Sequence, residues 1–402
     1  MTNKLLDFIT QIPKSDLHVH LDGSVRIDTL IDLSKKQKLS LPSYTIEGLN
    51  ELVFKDQYKN LVEYLQGFSL VLPVMQNQEN LERISYEFAK DNINEGVCYT
   101  EVRFAPQLHI NENQNIDQVL LSVNRGLYKA KLEHNKKPEV KAKKIPEFNY
   151  GIISCAMRYF GRGFSRYYDL FLDAHQHSTL NSVIAMSSFE LAQACVKIRD
   201  KYNIPIVALD IAGAEAGNPP IHHQKAYHFA HKNLMHTTVH AGEAYGPESI
   251  FQAITELYPE RIGHGFHLFS KDKIADSTIK DKKKYIEKLT QYIADRRITL
   301  EVCLTSNLQT IPSLKIIKNH PFAKMLDNHL SVAICTDNRT VSKTTVTKEI
   351  MLAMQHFNLT KDSLKSIIAN SFKKSFYPGT YNEKLNYLQQ VLTRYDVLAK
   401  KT

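Results

Sequence analysis

Two histidines and a carboxylate stand at alternate positions near the start of the chain, in the segment SDLHVHLDGS (15–24). Side chains two positions apart along a β-strand lie on the same face. His18, His20 and Asp22 would therefore point the same way if this segment is a strand. Imidazole nitrogens and carboxylate oxygens are ligands that zinc binds in proteins, so the spacing indicates a candidate metal site.

A histidine pair of this spacing is not specific by itself, because a lone HxH is more often structural than functional. The chain contains a second pair in DAHQH (173–177), which follows no clear strand and precedes no turn. His175 and His177 are therefore assigned no role. The first pair, His18 and His20, differs because it ends an apolar segment, and several other apolar segments of the chain also end in residues that could bind a metal or catalyse a reaction.

Three further segments place reactive residue types directly after apolar runs. HAGEA contains His240 and Glu243, RIGHG places His264 between two glycines, and TDN contains Asp337. Whether these residues meet depends on the elements that carry them.

Eight short apolar segments are predicted to be β-strands, and amphipathic, helix-like stretches separate most of them. The segments span residues 15–21, 97–105, 149–157, 204–213, 236–242, 261–265, 298–303 and 331–337. Alternating strands and helices of this number predict an α/β fold, a single (β/α)8 TIM-type barrel, with additional helices after about residue 345. No linker or internal repeat interrupts the pattern, so residues 1–402 are predicted to form one domain.

In a barrel of this kind the active site lies at the carboxyl ends of the strands. The strand ends named above would then surround one opening, where three imidazoles and one carboxylate form a set suited to zinc. That set is His18, His20, His240 and Asp337. In two-metal barrel hydrolases a carbamylated lysine on the fourth strand often bridges the metals. The fourth strand segment here contains no lysine, which favours one metal over two.

The remaining pair suits the activation of water. Zinc can lower the pKa of a bound water to near neutrality, His264 could orient that water and take its proton, and Glu243 could act as a general acid or base. These residue types indicate metal-assisted addition of water to a C=O or C=N carbon. They do not specify the substrate.

Composition limits the other classes of function. The formal net charge is +9, but many of the lysines fall in two surface insertions predicted near 129–147 and 271–291, without interleaved aromatic residues suited to base stacking. We therefore expect no nucleic-acid partner. No apolar run is long enough to span a membrane, and the five scattered cysteines indicate a reducing cytoplasm.

Several motifs together resemble the adenosine deaminase family, a branch of the metal-dependent amidohydrolases. They are HVHLDG (18–23), NEGVCYTEVRFAPQLH (94–109), DIAGAE (210–215), HAGEA (240–244), RIGHGFHL (261–268), LEVCLTSNLQT (300–310) and CTDNRTVS (335–342). Each string is weak alone, whereas their order and their spread over roughly residues 12–380 make the resemblance specific.

The resemblance implies zinc-dependent removal of the 6-amino group of adenosine, and of 2′-deoxyadenosine, in purine salvage. It implies one zinc ion on the four ligands named above. Glu243 would be the proton donor to purine N1, and His264 would lie beside the attacking water. Gly213 would offer its backbone N–H to purine N3, and Asp22 and His20 would contact the ribose.

One position departs from the family. Asn338 follows Asp337 where the family often has a second aspartate, which meets purine N7. An amide can donate a hydrogen bond to N7 directly, whereas a carboxylate would have to be protonated. We therefore expect Asn338 to bind substrate.

Related substrates remain open alternatives. Adenine deaminases of this fold have motifs similar to HLEG at the end of the first strand and DHG at the end of the sixth. This chain has HLDG and GHG at these places, which favours a nucleoside as substrate. Methylthioadenosine is a further alternative. It would require that the 5′ pocket near Asp22 tolerate the loss of the ribose 5′-hydroxyl. AMP deaminases are larger and carry phosphate-binding elements that are not found here.

The segment LVEYLQGF (61–68) places four apolar side chains on one helix face, namely Leu61, Tyr64, Leu65 and Phe68. Such a stripe is usually packed in a core. The family resemblance puts this helix over the pocket mouth, so a lid is the second interpretation.

A non-enzymatic barrel that binds a metal or a nucleoside is the rival from another class. It would require a broken catalytic set, and Glu243, His264 and Asp337 are all present, which favours an enzyme. The expected partner is a small nucleoside, and the expected state is a monomer or a weak homo-oligomer.

Overall fold

The computed structural model describes residues 3–59 and 61–401. Eight parallel strands form one sheet in which each strand pairs with the next along the chain. They are β1 (Lys14–His20), β2 (Val97–Phe104), β3 (Asn149–Met157), β4 (Ile206–Ala212), β5 (His236–Ala241), β6 (Arg261–His264), β7 (Thr299–Val302) and β8 (Ser331–Ile334). Each coincides with a predicted strand segment to within a few residues.

The sheet closes on itself just beyond β8. The backbone N–H of His20 donates to the carbonyl of Asp337 at 2.7 Å, and the N–H of Asp337 donates to the carbonyl of His18 at 2.8 Å. These bonds join the last strand end to the first strand. The predicted (β/α)8 barrel is therefore confirmed.

Helices surround the barrel. They are α1 (Asn3–Gln11), α2 (Ile27–Gln37), α3 (Ile46–Leu52), α4 (Leu61–Leu65), α5 (Phe68–Val71), α6 (Gln78–Asn94), α7 (Ile116–Asn135), α8 (Pro138–Lys141), α9 (Arg166–Ala174), α10 (Leu180–Tyr202), α11 (Gln224–Lys232), α12 (Pro247–Gln252), α13 (Lys282–Asp295), α14 (Leu304–Thr310), α15 (Phe322–Asp327), α16 (Val346–His356), α17 (Lys361–Lys374) and α18 (Tyr381–Ala399). The last three are the additional helices expected after about residue 345.

Helix α6 shows how the local sequence sets an element. The side-chain oxygen of Asn77 accepts a hydrogen bond from the backbone N–H three residues later, at 2.9 Å, and so satisfies one of the unpaired donors at the helix start. Leu81 and Phe88 lie about two helical turns apart, on the same face, and are buried. The chain turns into β2 at Gly96, whose φ of +86° favours glycine, and an added Cβ there would come within 2.8 Å of a carbonyl oxygen.

Charged side chains cross-link the strands inside the barrel. Arg103 of β2 contacts Asp210 of β4 at 2.7 Å and Glu301 of β7 at 3.0 Å, and Arg261 of β6 contacts Glu301 at 2.6 Å and also Glu101 of β2. All five side chains are fully buried. Buried charges are tolerated because each is paired. The sequence reasoning did not predict this network.

The two lysine-rich segments lie at the surface, one at the end of α7 and in α8 and its flanks, the other in the approach to α13 and its first two turns. Their exposed lysines are Lys129, Lys136, Lys137, Lys141, Lys143, Lys144, Lys271, Lys273, Lys280, Lys283, Lys284 and Lys288. All five cysteines are free and buried. Over the residues that the structure describes, no helix combines the length and the apolar character that crossing a membrane requires.

Candidate active site

The four side chains predicted to bind a metal meet at the carboxyl ends of β1, β5 and β8. Nε2 of His20 lies 3.2 Å from Nε2 of His240 and 3.5 Å from Oδ1 of Asp337. Nε2 of His18 lies 3.4 Å from the same oxygen. All four side chains are nearly or fully buried, and that of His20 is the most accessible, at 12%.

The separations of His20 from His240 and Asp337, and of His18 from Asp337, suit a single metal ion. The cluster whose ligand atoms all lie within 4.8 Å of one another, however, consists of His18, His240, His264 and Asp337, without His20. Ligand atoms about 2.0–2.1 Å from one tetrahedral zinc ion lie about 3.3 Å from one another. Nε2 of His18 is buried without a hydrogen-bond partner among the described residues, a costly state that a bound cation would relieve. The second oxygen of Asp337 accepts a hydrogen bond from Ser306 Oγ at 2.6 Å. The donor set therefore fits a divalent ion such as zinc.

Buried carboxylates behind two of the histidines orient their rings. Nδ1 of His18 lies 2.7 Å from Oε2 of Glu301, and Nδ1 of His240 lies 3.0 Å from Oδ2 of Asp210. Burial alone would raise the pKa of Asp210, but His240 and Arg103 outweigh it and lower that pKa below its usual range. Glu301 accepts a hydrogen from Nδ1 of His18, so Nε2 of His18 presents its lone pair to the shared centre. Asp210 lies within ion-pair distance of His240.

Two residues of the site have an uncommon backbone conformation. His264 at the end of β6 has a φ of +64°, and Asp337 just after β8 has a φ of +63°. Residues other than glycine rarely adopt this left-handed region, and strained backbone of this kind concentrates at functional sites. Both side chains line the cavity at the opening of the barrel.

Glu243 and His264 lie beside the metal-ligand set. Oε1 of Glu243 is 3.7 Å from Nε2 of His264. Burial raises the pKa of Glu243 to about 8, and the nearby charge of Asp337 adds to the rise. Burial lowers the pKa of His264 to about 4. Near neutral pH the carboxyl group therefore keeps its proton and the imidazole is neutral.

The loop that carries Glu243 is held by Glu215, which the sequence analysis did not single out. The Glu215 carboxylate accepts hydrogen bonds from the backbone N–H groups of four successive residues, 242–245, at 2.7–3.0 Å, and from Ser249 Oγ at 2.6 Å. Burial would raise the pKa of Glu215, but Arg158 and these hydrogen bonds outweigh it and lower the pKa. Glu215 closes the DIAGAE motif, and that was the only signal that could have pointed to it.

A cavity of about 690 Å³ opens over these groups. One end contains Glu243, His264, His20, His240 and Asp337, and the rest is mostly apolar. The apolar part is lined by Leu65, Phe68, Leu72, Leu108, Met157 and Phe164, among others. None of the described residues that line it is a lysine or an arginine.

Asp22 and Gly213 both line this cavity, and their contacts with a substrate stay a prediction. Asp22 begins a short helical turn after β1, and burial raises the pKa of its carboxyl group to about 7. Gly213 follows β4 with a φ of +100°, and an added Cβ would meet the side chain of Met157 at 3.4 Å. Glycine suits this position because other residues rarely adopt that φ.

Asn338 also lines the cavity and is held from behind by Tyr64. Its Nδ2 donates a hydrogen bond to the Tyr64 hydroxyl at 2.7 Å, and that hydroxyl also contacts Ser342 Oγ at 2.7 Å. An amide nitrogen carries two hydrogens, so one remains for another acceptor. The sequence did not predict the contact between Tyr64 and Asn338.

The apolar side chains of residues 61–68 have features of both predicted roles, packing in the core and covering the pocket. The side chain of Leu61 lies outside the described residues. Tyr64, Leu65 and Phe68 pack against the core and also line the cavity. The stripe therefore both packs and borders the pocket, and its role as a lid stays a prediction.

The second histidine pair lies elsewhere. His175 follows the end of α9, where its Nδ1 contacts the carbonyl of Phe171 at 2.8 Å. Neither His175 nor His177 is among the residues that line the cavity.

A family model and two relatives of known name all point to the same family. The sequence model of a family described as adenosine deaminase matches residues 13–159 and 176–393. The chain is 33% identical over 397 residues to an adenosine deaminase of Mycobacterium avium, covering 98% of both chains. It is 33% identical over 387 residues to an adenosine deaminase of Vibrio atlanticus, covering 96% of this chain and all of that one.

A solved structure shares the fold. The chain superimposes on Arabidopsis ADAL complexed with IMP with a TM-score of 0.73, covering 98% of this chain and 99% of the other, at 23% sequence identity.

Proposed function

The chain belongs to the adenosine deaminase family and is a hydrolytic deaminase of adenosine-like purines, and on that premise we propose that it converts adenosine and 2′-deoxyadenosine to inosine and ammonia with one bound Zn²⁺. The observation that carries the proposal is the position of Glu243, whose pKa burial raises, beside a candidate ligand set of three imidazoles and one carboxylate. Glu243 and three of the candidate ligands, His20, His240 and Asp337, line the same cavity, which supports the proposal.

The metal would be held by His18, His20, His240 and Asp337. Bound there, a zinc ion supplies the Lewis acidity that makes water a nucleophile near neutral pH. Glu301 and Asp210 fix the rings of two of these histidines from behind. Outer partners of this kind set ring orientation and ligand basicity.

Glu243 gives its proton to N1 of the purine. Protonation at N1 draws electron density from C6 and makes that carbon open to attack by water. This role requires an acid that keeps its proton near neutral pH, which agrees with the raised pKa of Glu243. His264 hydrogen-bonds to the attacking oxygen. The Glu243 carboxylate left after protonation of N1 takes one hydrogen of the water and passes it to the 6-amino group, which leaves as ammonia when the C6–N bond breaks. The other hydrogen of the water returns to Glu243 as the C6 carbonyl forms.

The remaining polar groups fit the rest of a nucleoside. Gly213 offers its backbone N–H to N3, the second hydrogen of the Asn338 amide points to N7, and Asp22 and His20 contact the ribose hydroxyls. These contacts fix the base so that C6 faces the metal end of the cavity. Positioning of this kind lowers the entropic part of the activation barrier.

The cavity favours a nucleoside over a nucleotide. A bound phosphate is usually held by Arg, Lys or a set of backbone N–H groups, and the described lining contains no Lys or Arg. A cavity of about 690 Å³ has room for a ribose as well as a base. Adenine and methylthioadenosine remain the alternative substrates, and the apolar lining could accept the methylthio group of the latter.

The proposal extends to the setting of the reaction. We place the protein in the cytoplasm, in purine salvage, with a small nucleoside as its partner and with neither nucleic acid nor a membrane. Residues 1–402 would act as one domain, as a monomer or a weak homo-oligomer.

A substrate panel tests this proposal. The purified, metal-loaded protein is given adenosine, AMP, adenine or methylthioadenosine. In each case the loss of the 6-aminopurine absorbance is followed as the 6-oxopurine product forms. We expect the highest kcat/KM with adenosine and little or no turnover of AMP. Preferred turnover of AMP would contradict the nucleoside assignment, and preferred turnover of adenine would contradict the ribose contacts.

A further inference from the structure

Three buried hydrogen bonds run in series behind His264. The backbone N–H of Phe322 donates to Nδ1 of His320 at 3.0 Å. Nε2 of His320 lies 3.1 Å from Oδ1 of Asn307, and Nδ2 of Asn307 lies 3.2 Å from Nδ1 of His264. The relay thus connects a main-chain group at the start of α15 to the far side of a ring that faces the cavity.

The direction of every bond in this relay follows from its first donor. A backbone N–H can only donate, so Nδ1 of His320 must accept. A neutral imidazole that accepts at one nitrogen carries its hydrogen on the other, and burial keeps His320 neutral by lowering its pKa to about 3. Nε2 of His320 is therefore the donor to Asn307.

The same logic carries through the amide. The atom of Asn307 that accepts from His320 must be its oxygen, so the atom that faces His264 must be the nitrogen, which donates. Oxygen and nitrogen of an amide look alike, and the hydrogen-bond partners have to decide between them. Here they decide for a donor, so Nδ1 of His264 accepts and has no hydrogen.

We propose that Asn307 and His320 fix the tautomer of His264 with its hydrogen on Nε2, so that His264 acts as a hydrogen-bond donor to the oxygen that attacks the substrate carbon. The proposal rests on the deaminase function proposed above. Asn307 and His320 are positioning residues because they act only through His264. In this tautomer Nε2 has no lone pair with which to take a proton, which differs from the base role expected from the sequence.

The tautomer also separates His264 from the metal ligands. Single ligand atoms of His18, His240, His264 and Asp337 all lie within 4.8 Å of one another, so distance alone would admit His264 as a ligand. His18 donates from Nδ1 to the Glu301 carboxylate and therefore presents a bare Nε2. His264 has an amide donor at Nδ1 and presents a hydrogen, which a cation would repel.

The tautomer is tested directly in the unaltered protein. Nitrogen-15 NMR of histidine-labelled protein distinguishes a protonated ring nitrogen from a bare one, and the His264 signals are assigned by their loss in His264→Gln. We expect the hydrogen on Nε2 of His264. A hydrogen on Nδ1 would overturn the proposal, whether or not the protein turns over adenosine, so its failure is distinguishable from failure of the proposed function.

The catalytic consequence is tested by reversing the relay. Asn307→Asp keeps the size of the side chain but offers an acceptor to both histidines, which favours the hydrogen on Nδ1 of His264. Loss of one preorganised donor commonly lowers kcat by about 10²–10³-fold, and we expect a fall of that order with KM changed little and bound metal retained. An unchanged kcat in Asn307→Asp would contradict the donor role.

A pair of variants at His320 supplies the control. Glutamine can accept from the Phe322 N–H with its oxygen and donate to Asn307 with its nitrogen, so His320→Gln keeps the direction of the relay. His320→Leu removes both groups. We expect His320→Gln to retain most of the kcat that His320→Leu loses, at equal bound metal. Equal kcat in the two variants would show that the direction of the relay does not matter.

Discussion

Oε1 of Glu243 lies 3.7 Å from Nε2 of His264, and both side chains line the same cavity. Burial acts on them in opposite directions, since it raises the pKa of the carboxyl group and lowers that of the imidazole. The result is an acid that keeps its proton beside a ring that remains neutral. Such a pair can give a proton at one atom of a substrate while holding an oxygen at another.

Replacing the acid separates metal binding from turnover. Glu243→Gln keeps the shape of the side chain and leaves the predicted ligands untouched, but it removes the proton donor to N1. A general acid typically contributes about 10²–10⁴-fold in rate, so we expect a loss of kcat of that order with the metal content of wild type. Turnover within a few-fold of wild type would rule out the assigned role.

The pH dependence of the reaction reports the same group. Only the protonated form of Glu243 can donate, and its pKa is raised to about 8. Activity should therefore be present at neutral pH and fall as the pH rises through the pKa of that group. The measurement is kcat/KM for adenosine against pH, which reports groups of the free enzyme. Activity that stays constant well above that pKa would show that the acid form is not required.

Glu215 should support turnover through the loop that it holds. Glu215→Gln leaves one acceptor oxygen where a carboxylate accepted five donors. Each buried donor left unpaired costs about 1–3 kcal/mol. We expect a lower melting temperature and a lower kcat, measured by thermal unfolding and steady-state kinetics.

The control for Glu215 is Glu248→Gln. The Glu248 carboxylate also accepts hydrogen bonds from backbone N–H groups, those of residues 275 and 276, but at a partly exposed position that does not line the cavity. The substitution Glu248→Gln should change kcat little. Equal effects of the two substitutions would contradict a specific role for Glu215.

The contribution of Glu215 to stability also depends on pH. Because the pKa of Glu215 is lowered in the fold, its stabilisation is present at neutral pH and is lost as the pH falls through that pKa.

Asn338 should read N7 of the purine. An amide donates without titrating, so the unaltered protein should prefer adenosine over 7-deaza-adenosine. A hydrogen bond of this kind is worth about 0.5–1.5 kcal/mol, and Asn338→Ala should lose that preference, about three- to tenfold in kcat/KM. If Asn338→Ala discriminates as strongly as wild type, the residue does not contact N7.

Tyr64 tests whether the Asn338 amide needs its support. Tyr64→Phe removes the hydroxyl that lies 2.7 Å from Nδ2 of Asn338 and keeps the ring in place. The preference for adenosine over the deaza analogue should weaken in the same direction as in Asn338→Ala. Combining the two substitutions should add little, because both act on one contact. Fully additive effects would show that Tyr64 acts independently of the amide.

The parts of the site that the sequence could predict are those set by local periodicity. Alternation along β1 placed His18 and His20 on one face, and the repeated strand pattern placed His240, His264 and Asp337 at the same end of the barrel. These inferences need only the period of a strand and the closure of the sheet.

The parts that it missed come from residues far apart in the chain. Glu301 orients His18 across 283 positions of sequence, and Glu215 reaches the loop of Glu243 from the preceding strand end. Nothing in the local pattern links such pairs. The left-handed backbone of His264 and Asp337 was also not predictable, because these residue types rarely adopt it and the surrounding barrel imposes it.

The most direct test of the whole account is the product balance of the reaction with and without metal. Purified protein is freed of metal with a chelator, divided, and one half is reloaded with one equivalent of Zn²⁺, after which inosine and ammonia are measured with adenosine as substrate. We predict one inosine and one ammonia for each adenosine consumed by the reloaded half, and no turnover by the metal-free half. Equal turnover in both halves, or none in a folded, zinc-loaded protein, would contradict the account.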